Sequence, residues 1–453
     1  MKLNIKLWSA LIASAALVAS TNVAAEGINF DQGQANAGAV ITQAREAASR
    51  SELPETKGAD TEMAASTEGS IERSIVVFKK GVSAARRSEV VLAAGGSVTR
   101  DLWLINAVAV ITPKVKTANF KRSLNSFTEV KRVEADKMRN WLYGATVLPT
   151  MAPRPALQTP ITKGCPDWWP PGYPCPTPDE PEDGKQRVPW GIKRVNASAA
   201  WAVTRGNGVK LAVIDTGVDG GHSELNVLGG FSAMGDNDWT DGHGHGTHVA
   251  GTIAAADNSK GVVGVAPGVS LYGVKVLDAQ GRGSYESVIA GIQWAVENKM
   301  DVANMSLGGD ETTEAMADAV KAAAAAGLTI VAAAGNNGGK VGYPAAYPGT
   351  IAIAASDSND RGASFSSRGP EVDLVAPGVK IDSTWKGGGY RKLDGTSMAS
   401  PHAAGLAALV VAAKGVHGVD AVREAMIAAA TKISGIAGPN QGHGMVDAAK
   451  LVR

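Results

Sequence analysis

Val209–Asp215 reads VKLAVID, a nearly continuous apolar run that closes on a carboxylate. A run of this length and β-branched content predicts a strand buried on both faces. Working outward, the pattern recurs. GTHVAGTIAA (246–255) predicts a helix, SLYGVKVLD (270–278) a strand, SYESVIAGIQWAVEN (284–298) a helix and DVANMSL (301–307) a strand. EAMADAVKAAAAAG (314–327) predicts a helix. TIVAAAGN (329–336), TIAIAAS (350–356) and VDLVAPG (372–378) predict strands, and TSMASPHAAGLAALVVAA (396–413) a long helix. Apolar strands alternating with helices define an α/β fold, a doubly wound parallel sheet, over residues 186–453. Chemistry in such folds gathers at the carboxyl ends of the strands.

Upstream, SIVVFKK (74–80), SAARRSEVVLAAGG (83–96), SVTRDLWLINAVAVITP (97–113), TANFKRSLNSF (117–127) and TEVKRVEAD (128–136) read β-α-β-β-α-β. That order predicts a small ferredoxin-like α+β domain over 74–142. Residues 1–25 carry Lys2 and Lys6, an apolar stretch from Leu7 to Val18 and Val23-Ala24-Ala25 before a cut. This is the pattern of a secretory signal peptide, so the mature chain is expected outside the cell. The apolar stretch is too short to favour a membrane anchor, and no later segment reads as a span. Residues 26–73 are rich in Ala, Glu, Ser and Gly and predict a poorly ordered leader. Residues 143–185 predict a linker, because seven of the seventeen residues from Cys165 to Pro181 are proline. Cys165 and Cys175 are the two cysteines of the chain. Export and their short spacing predict a disulfide closing a loop that carries Trp168 and Trp169. Lys and Arg number 44 against 43 Asp and Glu, a balance that points to neither nucleic acid nor an anionic membrane. Nothing suggests more than a monomer.

Four residues stand out chemically. Asp215 ends a buried strand, where a carboxylate needs a strong partner. Ser397 opens a helix, whose free backbone N–H groups face developing negative charge. A serine there becomes a nucleophile when a base adjoins it. Asn336 ends another strand with an amide able to donate. A histidine base is offered by DGHGHGTHVAG (241–251), which holds His243, His245 and His248. Their H-x-H-x-x-H spacing also mimics a binuclear zinc motif. That motif carries Asp where this chain has Thr247, and no later zinc ligands stand out.

VIDTGV, HGTHVAGT and GTSMASPHAAG, in the order Asp, His, Ser, resemble the subtilisin family of serine proteases. NMSLGG, AAAGN and VGYPAAYP extend the likeness over about 188–448, and 74–136 resembles the family's inhibitory propeptide more weakly. The resemblance implies a secreted, self-processing serine endopeptidase with Ser397 as nucleophile and His245 as general base and acid. It implies Asp215 as the group orienting His245, and Asn336 with the Ser397 N–H as the oxyanion hole. His248 and His402 are implied to be structural, and His243 solvated.

The resemblance also implies a substrate site. Ser306, Leu307, Gly308 and Gly309 form one wall of the S1 pocket, Ala333, Ala334 and Gly335 the other, and Gly342 the floor. A glycine floor implies large apolar or aromatic P1 residues. Gly281 to Tyr285, with Gly281 and Gly283, is implied to pair with the substrate backbone, giving broad specificity. The segment from Asn336 to Val341 is shorter than in well-known members, and Arg282 is expected to favour acidic residues near P4. Calcium is the implied cofactor, on Gln186, Glu224 and Asn258 with the carbonyls of Ala256, Lys260 and Val262. Glu224 stands where the family usually has Asp. The propeptide is the implied intramolecular inhibitor and folding aid. Cleavage is expected near Leu142 or Tyr143, with trimming near Lys185. A non-catalytic binding protein on the same fold is the rival reading, against which all four residues stand.

Overall fold

The computed structural model describes residues 71–142 and 185–453. The expected signal peptide, most of the leader and linker, and the Cys165–Cys175 pair lie outside the described residues.

The first described segment follows the expected order: β1 (Ile71–Phe78), α1 (Ala84–Ala93), β2 (Ser97–Leu102), β3 (Ala107–Pro113), α2 (Thr117–Leu124) and β4 (Val130–Ala135). Its sheet runs β2-β3-β1-β4 with every neighbouring pair antiparallel. The strand expected from Ser74 begins instead at Ile71, which pairs with Pro113. The period of two divides β1 and β3 between two cores. Val76, Phe78, Val108 and Val110 pack with Val90 and Val91 of α1 and Phe120 and Leu124 of α2. Ile75, Val77, Ala107 and Ala109 point the other way and join the core of the large domain. A short strand, β5 (Met138–Asn140), ends this segment.

The large domain holds β6 (Lys210–Asp215), β7 (Val227–Ser232), α3 (His245–Ala254), β8 (Ser270–Lys275), β9 (Arg282–Ser284), α4 (Tyr285–Glu297), β10 (Val302–Met305), α5 (Glu314–Ala325), β11 (Thr329–Ala333) and β12 (Thr350–Ser356). There follow β13 (Leu374–Pro377), β14 (Ile381–Trp385), β15 (Gly389–Leu393), α6 (Thr396–Lys414), α7 (Val419–Ala428), β16 (Ala430–Thr431) and β17 (Met445–Val446). Nine strands form one sheet, β16-β17-β13-β12-β11-β10-β6-β8-β7. All its pairings are parallel except β16 with β17. Every residue of β10, β11 and β12 is buried, so helices cover both faces, as the unbroken apolar runs require. From β6 the chain builds outward on one side through β8 and β7, then on the other from β10 to β13. The strand order therefore reverses beside β6, the place where open α/β sheets form their crevice.

One expectation fails on composition. Among the described residues α6 is long and apolar enough to cross a bilayer, contrary to the expectation that no segment after the N-terminal stretch reads as a span. Within the fold 89 % of that window is buried, because α6 lies against β10 to β13 as a core helix.

Carboxylates of the first segment cap two helices of the large domain. Asp136 Oδ1 accepts from the Glu286 N–H at 2.9 Å, in the first turn of α4. Glu134 Oε2 accepts from the Ala315 N–H at 3.2 Å, in the first turn of α5. Both places carry unsatisfied donors and the positive end of a helix dipole.

Leu409 of α6 is fully buried. Leu409→Ala should cost about 2–5 kcal/mol of stability. A urea unfolding curve with an unshifted midpoint would contradict this packing.

Candidate active site

Asp215 and His245 are both fully buried. His245 Nδ1 lies 2.8 Å from Asp215 Oδ1 and 3.0 Å from Oδ2. The Thr216 N–H donates to Oδ1 at 2.7 Å. With Nδ1–H committed to the carboxylate, Nε2 carries the lone pair, and it has no hydrogen-bond partner.

Two features set this pair. Gly246 permits the approach of α3 to β6. A Cβ there would stand 2.1 Å from the Gly217 carbonyl and 3.2 Å from Asp215 Cβ. Asp241 fixes the start of α3. Its carboxylate accepts from the N–H of His243, Gly244 and Thr247 and from the hydroxyls of Thr216 and Thr247, at 2.6–2.9 Å. Burial pushes the Asp241 carboxyl up while these hydrogen bonds pull it down. The sequence reading missed Asp241. Its place four residues before His245, where a first-turn N–H can reach it, was the available signal.

The other histidines diverge from His245. His248 is buried, and its Nε2 lies 3.0 Å from the carbonyls of both Ile381 and Arg391. It is therefore protonated there and stays neutral, its pKa depressed by burial to about 3. His243 is not solvated, contrary to expectation. It is half-buried, its ring centroid 6.2 Å from that of His245 and 6.5 Å from that of Trp385. Burial takes its pKa down to about 4, the nearby Lys386 and Arg391 cations adding to this and the Asp215 carboxylate opposing it. His402 donates from Nδ1 to the Met398 carbonyl at 2.8 Å, and burial takes it to about 4. Among the described residues no cluster of His, Cys, Asp or Glu is arranged to hold a metal ion.

Ser397 sits in the first turn of α6, buried, with its hydroxyl donating to the Ser306 carbonyl at 3.1 Å. Pro401, four residues on, has no N–H to give the Ser397 carbonyl its helical bond. The Ser306 hydroxyl supplies the missing donor at 2.8 Å. Ser306 accepts from Asn304 Nδ2 at 2.9 Å, and Asn304 Oδ1 accepts from Ser400 at 2.8 Å. Asn304 and Ser400 lie within NMSLGG and GTSMASPHAAG, but the sequence reading gave them no role; only the fold brings Asn304 of β10 against Ser400 of α6. Asn336 Oδ1 accepts from the Thr396 N–H at 2.8 Å and the Thr396 hydroxyl at 2.9 Å. Its Nδ2 is thus the end left to donate.

The expected pocket residues converge. Gly309 and Tyr343 exchange N–H···O bonds of 3.0 and 2.8 Å, and the Gly342 N–H donates to the Ala334 carbonyl at 2.9 Å. Gly342 and Tyr343 together therefore join the segment 306–309 to the segment 333–335. Gly281 to Gly283 is engaged by the chain itself. β5 pairs antiparallel with β9, Arg139 opposite Gly283. The Trp141 N–H donates to the Gly281 carbonyl, and the Gly308 N–H to the Trp141 carbonyl, both at 3.0 Å. The Trp141 indole N–H donates to the Gly283 carbonyl at 3.0 Å, and its ring meets Tyr285 edge-on at 5.2 Å. The Arg282 guanidinium is largely exposed and pairs with Asp278 at 2.9 Å.

The residues expected at a cation site also gather. Glu224 is fully buried, its Oε2 has no partner, and burial pushes its carboxyl up. Gln186 Nε2 donates to the Ala256 carbonyl at 2.7 Å, and Asn258 Nδ2 to Glu224 Oε1 at 3.4 Å. A buried carboxylate oxygen without a donor, among amides that can rotate their oxygens inward, suits a hard cation. Glu224 in place of Asp does not keep the carboxylate from this cluster.

A histidine–carboxylate pair and a helix-opening serine at a strand-order reversal are the parts of a serine hydrolase. The Subtilase family profile matches residues 206–446. Subtilisin DY of Bacillus licheniformis is 48 % identical over 255 residues, covering 55 % of this chain and 93 % of the relative. Subtilisin E of Bacillus subtilis is 53 % identical over 234 residues, 50 % of this chain and 61 % of the relative. Subtilisin Savinase of Lederbergia lenta is 52 % identical over 228 residues, covering 84 % of the relative. The chain belongs to the subtilase family and is a subtilisin-like serine endopeptidase.

Gly246→Ala should displace His245 from Asp215 while leaving the far side of the sheet intact. Misplacement of this order costs about 100-fold in rate. Near-wild-type kcat in a variant with native circular dichroism would refute the close-approach argument.

Proposed function

We propose that Ser397, His245, Asp215 and Asn336 carry out peptide-bond hydrolysis through an acyl-enzyme. The observation that carries this reading is the buried His245, with Nδ1 on Asp215 and an unpartnered Nε2. Ser397 Oγ leaves the Ser306 carbonyl, attacks the scissile carbonyl and gives its proton to Nε2. Asp215 stabilises the imidazolium. The oxyanion takes hydrogen bonds from the Ser397 N–H and Asn336 Nδ2. Collapse breaks the C–N bond, and the departing amine takes the proton from His245. Water, deprotonated by His245, then attacks the ester, and Ser397 recovers its proton.

Ser306 to Gly309, Ala333 to Gly335 and Gly342 would receive a large apolar or aromatic P1 side chain. Pairing of Gly281 and Gly283 with substrate backbone would give broad specificity. Residues 74–142 serve as an inhibitory propeptide, whose tail already lies on that strand. The chain would cut itself near Leu142 or Tyr143, trim near Lys185, and act outside the cell as a monomer. Gln186, Glu224 and Asn258, with the carbonyls of Ala256, Lys260 and Val262, would hold calcium. Bound there, the ion would neutralise Glu224 and tie the mature N-terminus to the loop after α3.

Ser397→Ala should remain uncleaved between 142 and 185 and should not digest casein. Asn336→Ala should lower kcat about 100- to 1,000-fold, a range established for this donor in the family rather than calculated from this site. Processing and activity in Ser397→Ala would overturn the assignment. Chelation of the mature enzyme should shorten its half-life on heating, and added calcium should restore it. An unchanged half-life would remove calcium from Glu224.

A further inference from the structure

The hairpin β14–β15 is fastened to α3, the helix that begins with His245. His248 reaches the carbonyls of Ile381 and Arg391. The Thr384 hydroxyl donates to the Thr247 carbonyl at 2.8 Å, and that of Ser383 to the His248 carbonyl at 2.7 Å. The Trp385 ring lies so close to Gly244 that a Cβ there would stand 2.3 Å from it. Gly244 takes φ 110°, so a side chain is excluded twice over. Trp385 is thus fixed one residue from His245.

On this platform sit two cations that the proposed mechanism does not use. The Arg391 guanidinium lies over the Trp385 ring, 4.3 Å from its centroid. It is half-buried, its Nε lacks a partner, and burial lowers its pKa with no anion acting against it. The carboxylates of the neighbourhood are engaged elsewhere. Asp382 pairs with Arg187 at 3.0 Å, and Asp219 accepts from the Gly387 and Gly221 N–H groups at 2.8 and 3.0 Å. Asp394 accepts from the Lys380 N–H. Lys386 Nζ donates to the Gly242 carbonyl. Gly242 packs beside Ala279, just before the strand on which Trp141 and Leu142 lie. Both cations are near enough to depress His243.

A partly desolvated guanidinium without a counter-ion is costly, and a carboxylate offered to it gains a charge-assisted hydrogen bond. We propose that Arg391 and Lys386 form a cationic subsite flanking His245, which selects substrates bearing an acidic side chain within three residues of the scissile bond. Arg282 differs from both in having a carboxylate partner, Asp278. The subsite rests on the protease reading above and adds a charge preference to its apolar pocket.

The test uses mature enzyme on a denatured protein mixture, with the new termini sequenced, followed by paired peptides differing only in Asp or Asn at the selected position. Wild type should enrich Asp and Glu at one position and favour the Asp peptide in kcat/KM about five-fold at low salt. In about 1 M salt, where the Debye length is about 3 Å, the ratio should shrink. Arg391→Gln and Lys386→Gln should each lower the ratio, and Arg391→Lys should keep part of it. Should Arg391→Gln fail to fold, Lys386→Gln and the salt series still decide. Equal rates for the two peptides in wild type, or a preference untouched by salt and substitution, overturn the subsite alone. Failure to cleave either peptide overturns the protease reading and the subsite with it.

Discussion

Burial of Asp215 is the constraint around which the large domain is arranged. A carboxylate with no exposure at the end of a central strand cannot be left to itself, since desolvating an unpaired charge costs several kcal/mol. His245 and the Thr216 N–H are its partners. To bring the histidine there, α3 must start against β6, which only a glycine at 246 allows. The helix start must also be held in place, which Asp241 does through five hydrogen bonds. The hairpin β14–β15 then closes over α3, so one strand-end carboxylate orders much of the crevice wall.

A second polar network does the same for the serine. Pro401 deprives the Ser397 carbonyl of its helical partner, and a buried carbonyl must find another. Ser306 provides it, Asn304 orients Ser306, and Ser400 returns the network to α6. Because Asn304 lies in β10 and Asp215 ends β6, the two networks flank the strand-order reversal. Networks of this kind are satisfied throughout or destabilising, so the serine's position is closely specified.

Contact between the first segment and the large domain combines three kinds of interaction. One face of the small sheet is shared apolar core. Asp136 and Glu134 complete the starts of α4 and α5. A charge cluster completes the seam: Arg73 pairs with Asp136 at 2.9 Å and with Glu286 at 3.1 Å, and Arg100 also pairs with Glu286. Burial, with Asp136 nearby, pushes the Glu286 carboxyl up, against the pull of both arginines. β9 exists as a strand only through its pairing with β5, which is why no local pattern announced it.

The alternating apolar runs, the small domain's element order and the four chemical residues were legible in the sequence. Each is fixed by local periodicity or by a short motif. β7, reading VLGGFS, was missed because two glycines erase its pattern, and the hairpin β14–β15 because its polar residues face neighbours rather than water. The fate of single polar groups was illegible for a general reason. Whether Arg282 is free or held by Asp278, whether His243 is wet or packed, and whether Arg391 meets a carboxylate depend on side chains brought together across the fold. Composition and spacing determined which chemistry this chain could carry. Tertiary packing decided which charges are satisfied within the fold and which are not, because hydrogen bonds and ion pairs are settled over a few ångströms of space and not of sequence.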